Sequence, residues 1–322
     1  MDFSITPDDR LLQQSVRDFI EDKANAVWQE IEKTDALPQH LIDGARDVGL
    51  LGLSIPQEYG GLGLSVVQKT LCHEQLGRGP WGLASFISVH TGIGCVGIVR
   101  FGNAEQKQRY LPKMATGEWI GAFALTEPQS GSDAAALATR AERKGDSYLV
   151  TGRKIFITNA PRAHHFVTFA RTAAGISAFI IDADSPGVSI GQVFDTTGHK
   201  GSADSEVVFE DARIPAESLI GEEGKGMDYA KRRFSEGRTT SARCVGTAQK
   251  ALEPLSSTPS SARPRQAADR ALLGCWPSRP ARSCARNWKS APAASLAWRP
   301  DQAPCSIRES STSARSSPAM PW

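Results

Sequence analysis

The hydrophobic period of this chain changes three times along its 322 residues. Up to about residue 118, apolar side chains recur at helical spacing. From Trp119 to Pro215 they alternate, as in Phe166-Val167-Thr168-Phe169-Ala170 and Ile176 to Ile181. The helical period returns from Met227 to about Glu253, and after Pro254 no period lasts two turns. Two periodicities in separate blocks predict an α+β chain: an all-α layer, an antiparallel, barrel-like β domain, and a further helix.

Local signals sharpen the first block. Thr6 caps a helix with Pro7 at its first position and Asp8 and Asp9 in the first turn. Leu41, Ile42, Ala45 and Val48 share one face of a second helix that ends near Gly49. Ser65 with Gln68 opens a third, ending near Gly77, and Asn103 with Gln106 opens a short one. Residues 82–100 are apolar on most faces and predict a buried helix. No window is expected to span a membrane. The N-terminus has neither the charge pattern of a secretory signal nor that of a transit peptide, so a cytoplasmic location is expected.

The segment beyond residue 254 is of another kind. It has no Val, Phe, Tyr or His, is rich in Ser, Ala, Pro and Arg, and holds Trp276, Trp288, Trp298 and Trp322. Its ten bases and three acids give +7, which leaves −5 for the body of a chain whose formal total is +2. The basic balance therefore belongs to the tail and does not mark the folded part as binding nucleic acid. Such a tail cannot bury enough apolar surface to offset its ordering entropy, and disorder is expected. The six cysteines form no C-x-x-C pair and stand beside no histidine at ligand spacing, so reduced thiols and no metal are expected.

Phe123-Ala-Leu-Thr-Glu-Pro-Gln-Ser-Gly-Ser-Asp133 carries the chemistry. A strand delivers Thr126 to a turn forced by Pro128; Gly131 permits close backbone approach, and Ser132 presents a hydroxyl. The segment resembles the T-E-P-x-[AS]-G-S-D signature of the acyl-CoA dehydrogenase family. The resemblance extends through Ile55–Gly61, Phe101–Pro112, Gly152–Asn159, His199–Ser202, Phe209–Pro215 and Gly221–Gly226, in order and spacing, over some 250 residues.

The resemblance implies a flavoprotein that holds FAD and an acyl-CoA and passes electrons to an electron-transfer flavoprotein. It divides the chain into an N-terminal helical domain (1–118), a flavin-binding middle β domain (119–223), the first helix of an incomplete C-terminal helical domain (224–254), and a disordered non-family tail (255–322). By similarity, Thr126 bonds the flavin N5 region, Phe123 and Leu125 line the ring, and Gly131 and Ser132 contact cofactor and substrate. Phe156 and Thr158 lie against the ring, and Arg238 contacts substrate. Phe156 stands where many members carry Trp, which keeps a flat wall and loses an indole N–H.

The implied reaction is α,β-dehydrogenation of an acyl-CoA thioester, and it needs a carboxylate base of raised pKa. The family supplies it from a Y-E-G-T-like segment, which does not occur here, or from the residue before an Arg on the helix after the β domain. That residue here is Gly237. Glu236 is about 100° from the required face, and Glu127 reads as holding its own turn. No catalytic residue is therefore assigned. The R-x-Q-F-G-like segment is also missing, and with it the contacts of the family's homotetramer. The helix from Met227 is left without partners for its apolar face. The tail composition is that of a GC-rich message read in a shifted frame. Alternative expectations are a non-catalytic flavin or acyl-CoA binder, and an acyl-CoA oxidase or flavin monooxygenase relative.

Overall fold

The structure, a computed structural model, describes residues 4–256. The expected disordered tail lies, but for its first two residues, outside them. The helical block forms α1 (Pro7–Phe19), α2 (Trp28–Thr34), α3 (Gln39–Asp47), α4 (Val66–Leu76), α5 (Trp81–Ser88), α6 (Val96–Phe101) and α7 (Ala104–Ala115).

Three of these starts are capping boxes, as the sequence predicts. Thr6 Oγ1 accepts from the Asp9 amide at 3.2 Å, and Asp9 Oδ2 accepts from the Thr6 amide at 3.0 Å. Ser65–Gln68 and Asn103–Gln106 repeat the exchange at α4 and α7. The capping glutamines also reach beyond their own helices. Gln68 Nε2 donates to Asp9 Oδ1 at 2.9 Å and joins α4 to α1. Gln106 Nε2 donates to the Glu217 and Leu219 carbonyls at 2.7 and 2.9 Å and joins α7 to the β block. Each cap thus sets both where a helix begins and what it begins against.

The stretch Trp81–Phe101 corrects one expectation. Its mean hydropathy of 1.7 over a helical run of 21 residues is enough, by length and composition, to cross a membrane. Yet 78% of its most apolar window is buried inside the protein. Leu83, Phe86, Ile87 and Ile98 are all covered, so the run is the buried helix that residues 82–100 predict. It is not straight: a wide π turn at Val89–Ile93 separates α5 from α6.

The alternating block gives β1 (Gly121–Ala124), β2 (Arg140–Lys144), β3 (Ser147–Ile157), β4 (His165–Thr172), β5 (Gly175–Asp182), β6 (Val188–Val193), β7 (Ser205–Pro215) and β8 (Leu219–Ile220). The order is β6-β7-β3-β2-β4-β5-β8, with β1 on β4. Pairing is antiparallel except that β1 runs parallel to β4, Gly121 opposite His165, and β2 meets β4 parallel at Arg140–Arg171. The sheet is open. A closed barrel needs a continuous stagger between first and last strands, and β8 is only two residues long.

Alternation on β4 divides two cores. Val167 and Phe169 pack with Leu111 and Met114 of α7. Phe166 and Ala170 point the other way, toward Tyr148, Phe179 and Phe209.

Where the sequence predicts one helix from Met227, the structure has two. α8 (Gly226–Gly237) ends in a 3₁₀ turn, Arg238–Ser241, and α9 (Ala242–Ser256) follows. Gly237 and the β-branched pair Thr239-Thr240 interrupt the run, since both residue types weaken a helix interior. Nor is α9 without partners. It crosses α4 at two glycines: a Cβ on Gly77 would stand 2.0 Å from the Arg243 carbonyl oxygen, and one on Gly246 would stand 1.8 Å from that of Glu74. Thr247 Oγ1 donates to the Gly77 carbonyl at 2.6 Å, and Glu253 receives Arg78 at 2.8 Å. Val245 and Leu252 are 51% and 60% exposed, so part of the expected unpartnered stripe survives there.

Candidate functional site

β1 hands the chain to a tight turn at Pro128-Gln129, closed by the Glu127 and Ser130 backbones, each donating to the other at 3.0 and 3.1 Å. Ser130 Oγ donates onward to the Asp133 carbonyl at 2.7 Å. The turn leaves Gly131 and Ser132 exposed and Thr126 half-buried at its root. A Cβ built on Gly131 would meet nothing within 4 Å, so no neighbour inside the described residues requires glycine there.

Facing this turn is an irregularity in β3. Opposite β7, Lys154 pairs with Val207 but Ile157 pairs with Ser205, so β3 carries one extra residue. Bulges of this kind re-aim a side chain. Phe156 sits in it at φ +55°, a left-handed conformation that costs an L-residue roughly 1–2 kcal/mol. Phe156 is 57% exposed, with the Phe194 ring at 4.7 Å between centroids. The Ile155 amide donates to the Thr126 carbonyl at 2.9 Å, which ties the bulge to the root of the turn. Beyond the bulge, the Thr158 hydroxyl donates to Asp204 Oδ1, and Asn159 Nδ2 donates to the Phe86 carbonyl at 3.1 Å. Neighbours on both sides thus hold the strained residue in place.

Beneath the joint lies a buried ion pair. Lys154 is 0% exposed, and its ammonium reaches Glu127 Oε1 at 2.7 Å and the Leu125 and Phe169 carbonyls at 3.2 and 2.7 Å. Glu127 also accepts from the Thr139 and Ala138 amides at 3.0 and 2.6 Å and from the Thr139 hydroxyl. Burial acts to raise the Glu127 pKa, but Lys154, Thr139 and the Ala138 amide outweigh it and bring it to about 2. Burial lowers that of Lys154 while Glu127 opposes the change, and the pair is ionised at neutral pH. Glu127 therefore holds its turn and has no spare capacity to accept a proton.

The structure brings Thr126, Phe156 and the exposed Gly131–Ser132 edge together. Other sequence-predicted residues sit differently. Leu125 is buried among Ile55, Leu111 and Met114, and Phe123 is half-buried against Phe169 at 5.1 Å. The Thr158 hydroxyl proton is committed to Asp204, so toward any ligand that oxygen can only accept. Arg238 is exposed in the 3₁₀ turn after α8. The side chain of Glu236 lies outside what is described.

Sequence reasoning missed Lys154, Thr139 and Asp204. A lysine between Gly152 and Phe156 reads as a solvent-facing strand residue, yet it falls on the inward face of β3 that Tyr148 and Val150 also occupy, just before the bulge. Gly152 was the available signal: a Cβ there would stand 2.4 Å from Thr139 Oγ1, so the glycine lets Thr139 reach Glu127.

A histidine group sits behind β1. His90 Nδ1 accepts from the Gly121 amide at 3.1 Å, and its Nε2 stands 3.0 Å from the Met114 carbonyl, which fixes the neutral, Nε2-protonated ring. Burial lowers the pKa of His90 to about 4 and that of His165 to about 3.

Comparison with known proteins establishes the family and the fold. Residues 6–118 match the family model of the acyl-CoA dehydrogenase N-terminal domain, and residues 122–212 match that of the middle domain. An acyl-CoA dehydrogenase of Bacillus subtilis (strain 168) is 40% identical over 255 residues, 77% of this chain and 67% of the relative. The butyryl-CoA dehydrogenase structure from Megasphaera elsdenii superposes with a TM-score of 0.75 at 34% identity, over 79% of this chain and 69% of that one. An acyl-CoA dehydrogenase from Bacillus anthracis, solved in complex with FAD, gives 0.73 at 37% identity, over 77% of this chain and 43% of that one. This chain thus spans about two thirds of the length of the Bacillus subtilis relative. With its N-terminal and middle domains matched in sequence and in fold, the chain belongs to the acyl-CoA dehydrogenase family.

Proposed function

We propose that this chain binds FAD and an acyl-CoA at the joint between the Thr126 turn and the Phe156 bulge, and that it lacks the carboxylate that would start dehydrogenation. The hydrogen bond from the Ile155 amide to the Thr126 carbonyl, 2.9 Å, carries the reading. It brings together an exposed, strained aromatic ring, a threonine at the root of a turn, and an open glycine–serine edge. These residues fit a flat cofactor: Phe156 offers a wall with no intramolecular reason to be exposed, and half-buried Thr126 adds a hydroxyl-bearing side chain at the root of the neighbouring turn.

FAD, when bound, would take the β-hydrogen of the acyl-CoA as hydride. The chain's own residues would then have these roles. Phe156 would stand against the ring and exclude water from one face. Thr126 would bond its N5 region, while Thr158, held by Asp204, would offer only an acceptor. Gly131 and Ser132 meet cofactor and substrate at the open edge, and Arg238 meets the substrate from the helical side. Phe123 and Leu125 set the floor below. No residue is assigned to remove the α-proton: Glu127 is fully hydrogen-bonded, and Gly237 precedes Arg238 where a carboxylate is needed.

An electron-transfer flavoprotein as acceptor, a homotetrameric assembly and a cytoplasmic location belong to the same reading and rest on the family resemblance. The tail after Glu253 is a frame-shifted continuation of the gene. Titrating the purified chain with FAD, then adding short-, medium- and long-chain acyl-CoAs without oxygen, tests the proposal. Stoichiometric flavin uptake with no bleaching supports it; failure to take up flavin refutes it.

A further inference from the structure

A fully buried lysine is rare unless it is paired, and Lys154 is paired completely: its three ammonium protons go to Glu127, Leu125 and Phe169. Its sequence position gives the pairing a direction. Lys154 precedes the Phe156 bulge by two residues, and Glu127 follows Thr126 directly. The ion pair therefore joins the residues flanking the two halves of the site, through β1, β3 and the Phe169 carbonyl of β4. Two apolar side chains of the same volume would hold these strands at no desolvation cost, and such replacements are often neutral or stabilising. They would not fix a turn, since apolar contact is non-directional. An ammonium held by two carbonyls and a carboxylate has one orientation.

We propose that Lys154 and Glu127 are a positioning pair that sets the Thr126 turn against the Phe156 bulge, and that the flavin affinity of this chain depends on it. The second half rests on the flavin reading above. Thr139 completes the device by clamping the far side of Glu127, at the spot that Gly152 leaves open.

The pair acts on geometry, so its loss should show in a protein that still folds. Lys154→Met alone strands a buried carboxylate and is expected to be the less stable variant. The combined Lys154→Met/Glu127→Gln variant removes both charges and keeps the amide acceptor for Thr139. Two measurements on it decide the matter. Amide hydrogen exchange at Ile155 in the cofactor-free protein reports the joint itself, and flavin titration reports the consequence. We expect the double variant to melt within a few degrees of the parent, Ile155 to exchange at least about tenfold faster while amides of β4 and β5 are unchanged, and FAD to bind about tenfold more weakly or worse. Unchanged protection of Ile155 overturns the positioning role, whether or not flavin binds. Faster Ile155 exchange with parent-like FAD affinity keeps the joint and overturns the dependence of flavin affinity on it. Faster exchange in a chain whose parent binds no FAD leaves the positioning pair standing and removes the flavin reading instead.

Discussion

Phe156 holds a left-handed backbone and an exposed ring at once, and neither favours the folded chain. Phe156→Gly should relieve the backbone and raise stability by about 1 kcal/mol, measured by denaturant unfolding, while weakening FAD binding about tenfold or more. A variant that loses stability would show the ring packing within the protein instead. The two buried histidines give a second residue-scale expectation. The folded state holds His90 and His165 neutral down to about pH 4 and 3, while the unfolded chain protonates them near the ordinary 6.5. The unfolded state therefore binds more protons below pH 6.5, and stability falls with falling pH by about 1.4 kcal/mol per unit per histidine. His165→Phe should flatten that slope between pH 6.5 and 4.5, above the range where Glu127 titrates; an unchanged slope would contradict the assignment. Thr126, Phe156 and Ser132 are candidates that a motif names from sequence alone, and their place in the chain could be read from it. Lys154 and Asp204 were not legible, because their roles depend on partners far away in the sequence, Glu127 for the one and Thr158 for the other, which no local pattern encodes.

At the scale of elements, the starts of α1, α4 and α7 could be read directly, since a capping box is a local exchange of hydrogen bonds. The fate of the region after Gly226 could not. The two glycines that let α9 lie against α4 stand far apart in sequence, and their meaning appears only when Gly77 and Gly246 meet the Arg243 and Glu74 carbonyls. Gly246→Val should force these backbones apart and cost about 1–3 kcal/mol, seen as a lower melting temperature. Val245→Ala, one residue away on the exposed face, should change it little; equal effects would mean that α9 is not docked through Gly246. Closure of the sheet was equally hidden, because alternation specifies strands and faces but not the length of the last partner.

For the whole molecule, the chain has the N-terminal and middle domains of the acyl-CoA dehydrogenase family and spans about two thirds of the Bacillus subtilis relative. Resequencing the gene around the codon for Pro254 should recover an R-x-Q-F-G-like and a Y-E-G-T-like continuation in another frame; an unbroken frame with the present tail would refute the shift. The most direct measurement is anaerobic absorbance of the FAD-loaded chain, as it stands, on addition of acyl-CoAs. The visible flavin bands should persist, perturbed by binding but not bleached. Bleaching at an appreciable rate would mean that some group in this polypeptide takes the α-proton.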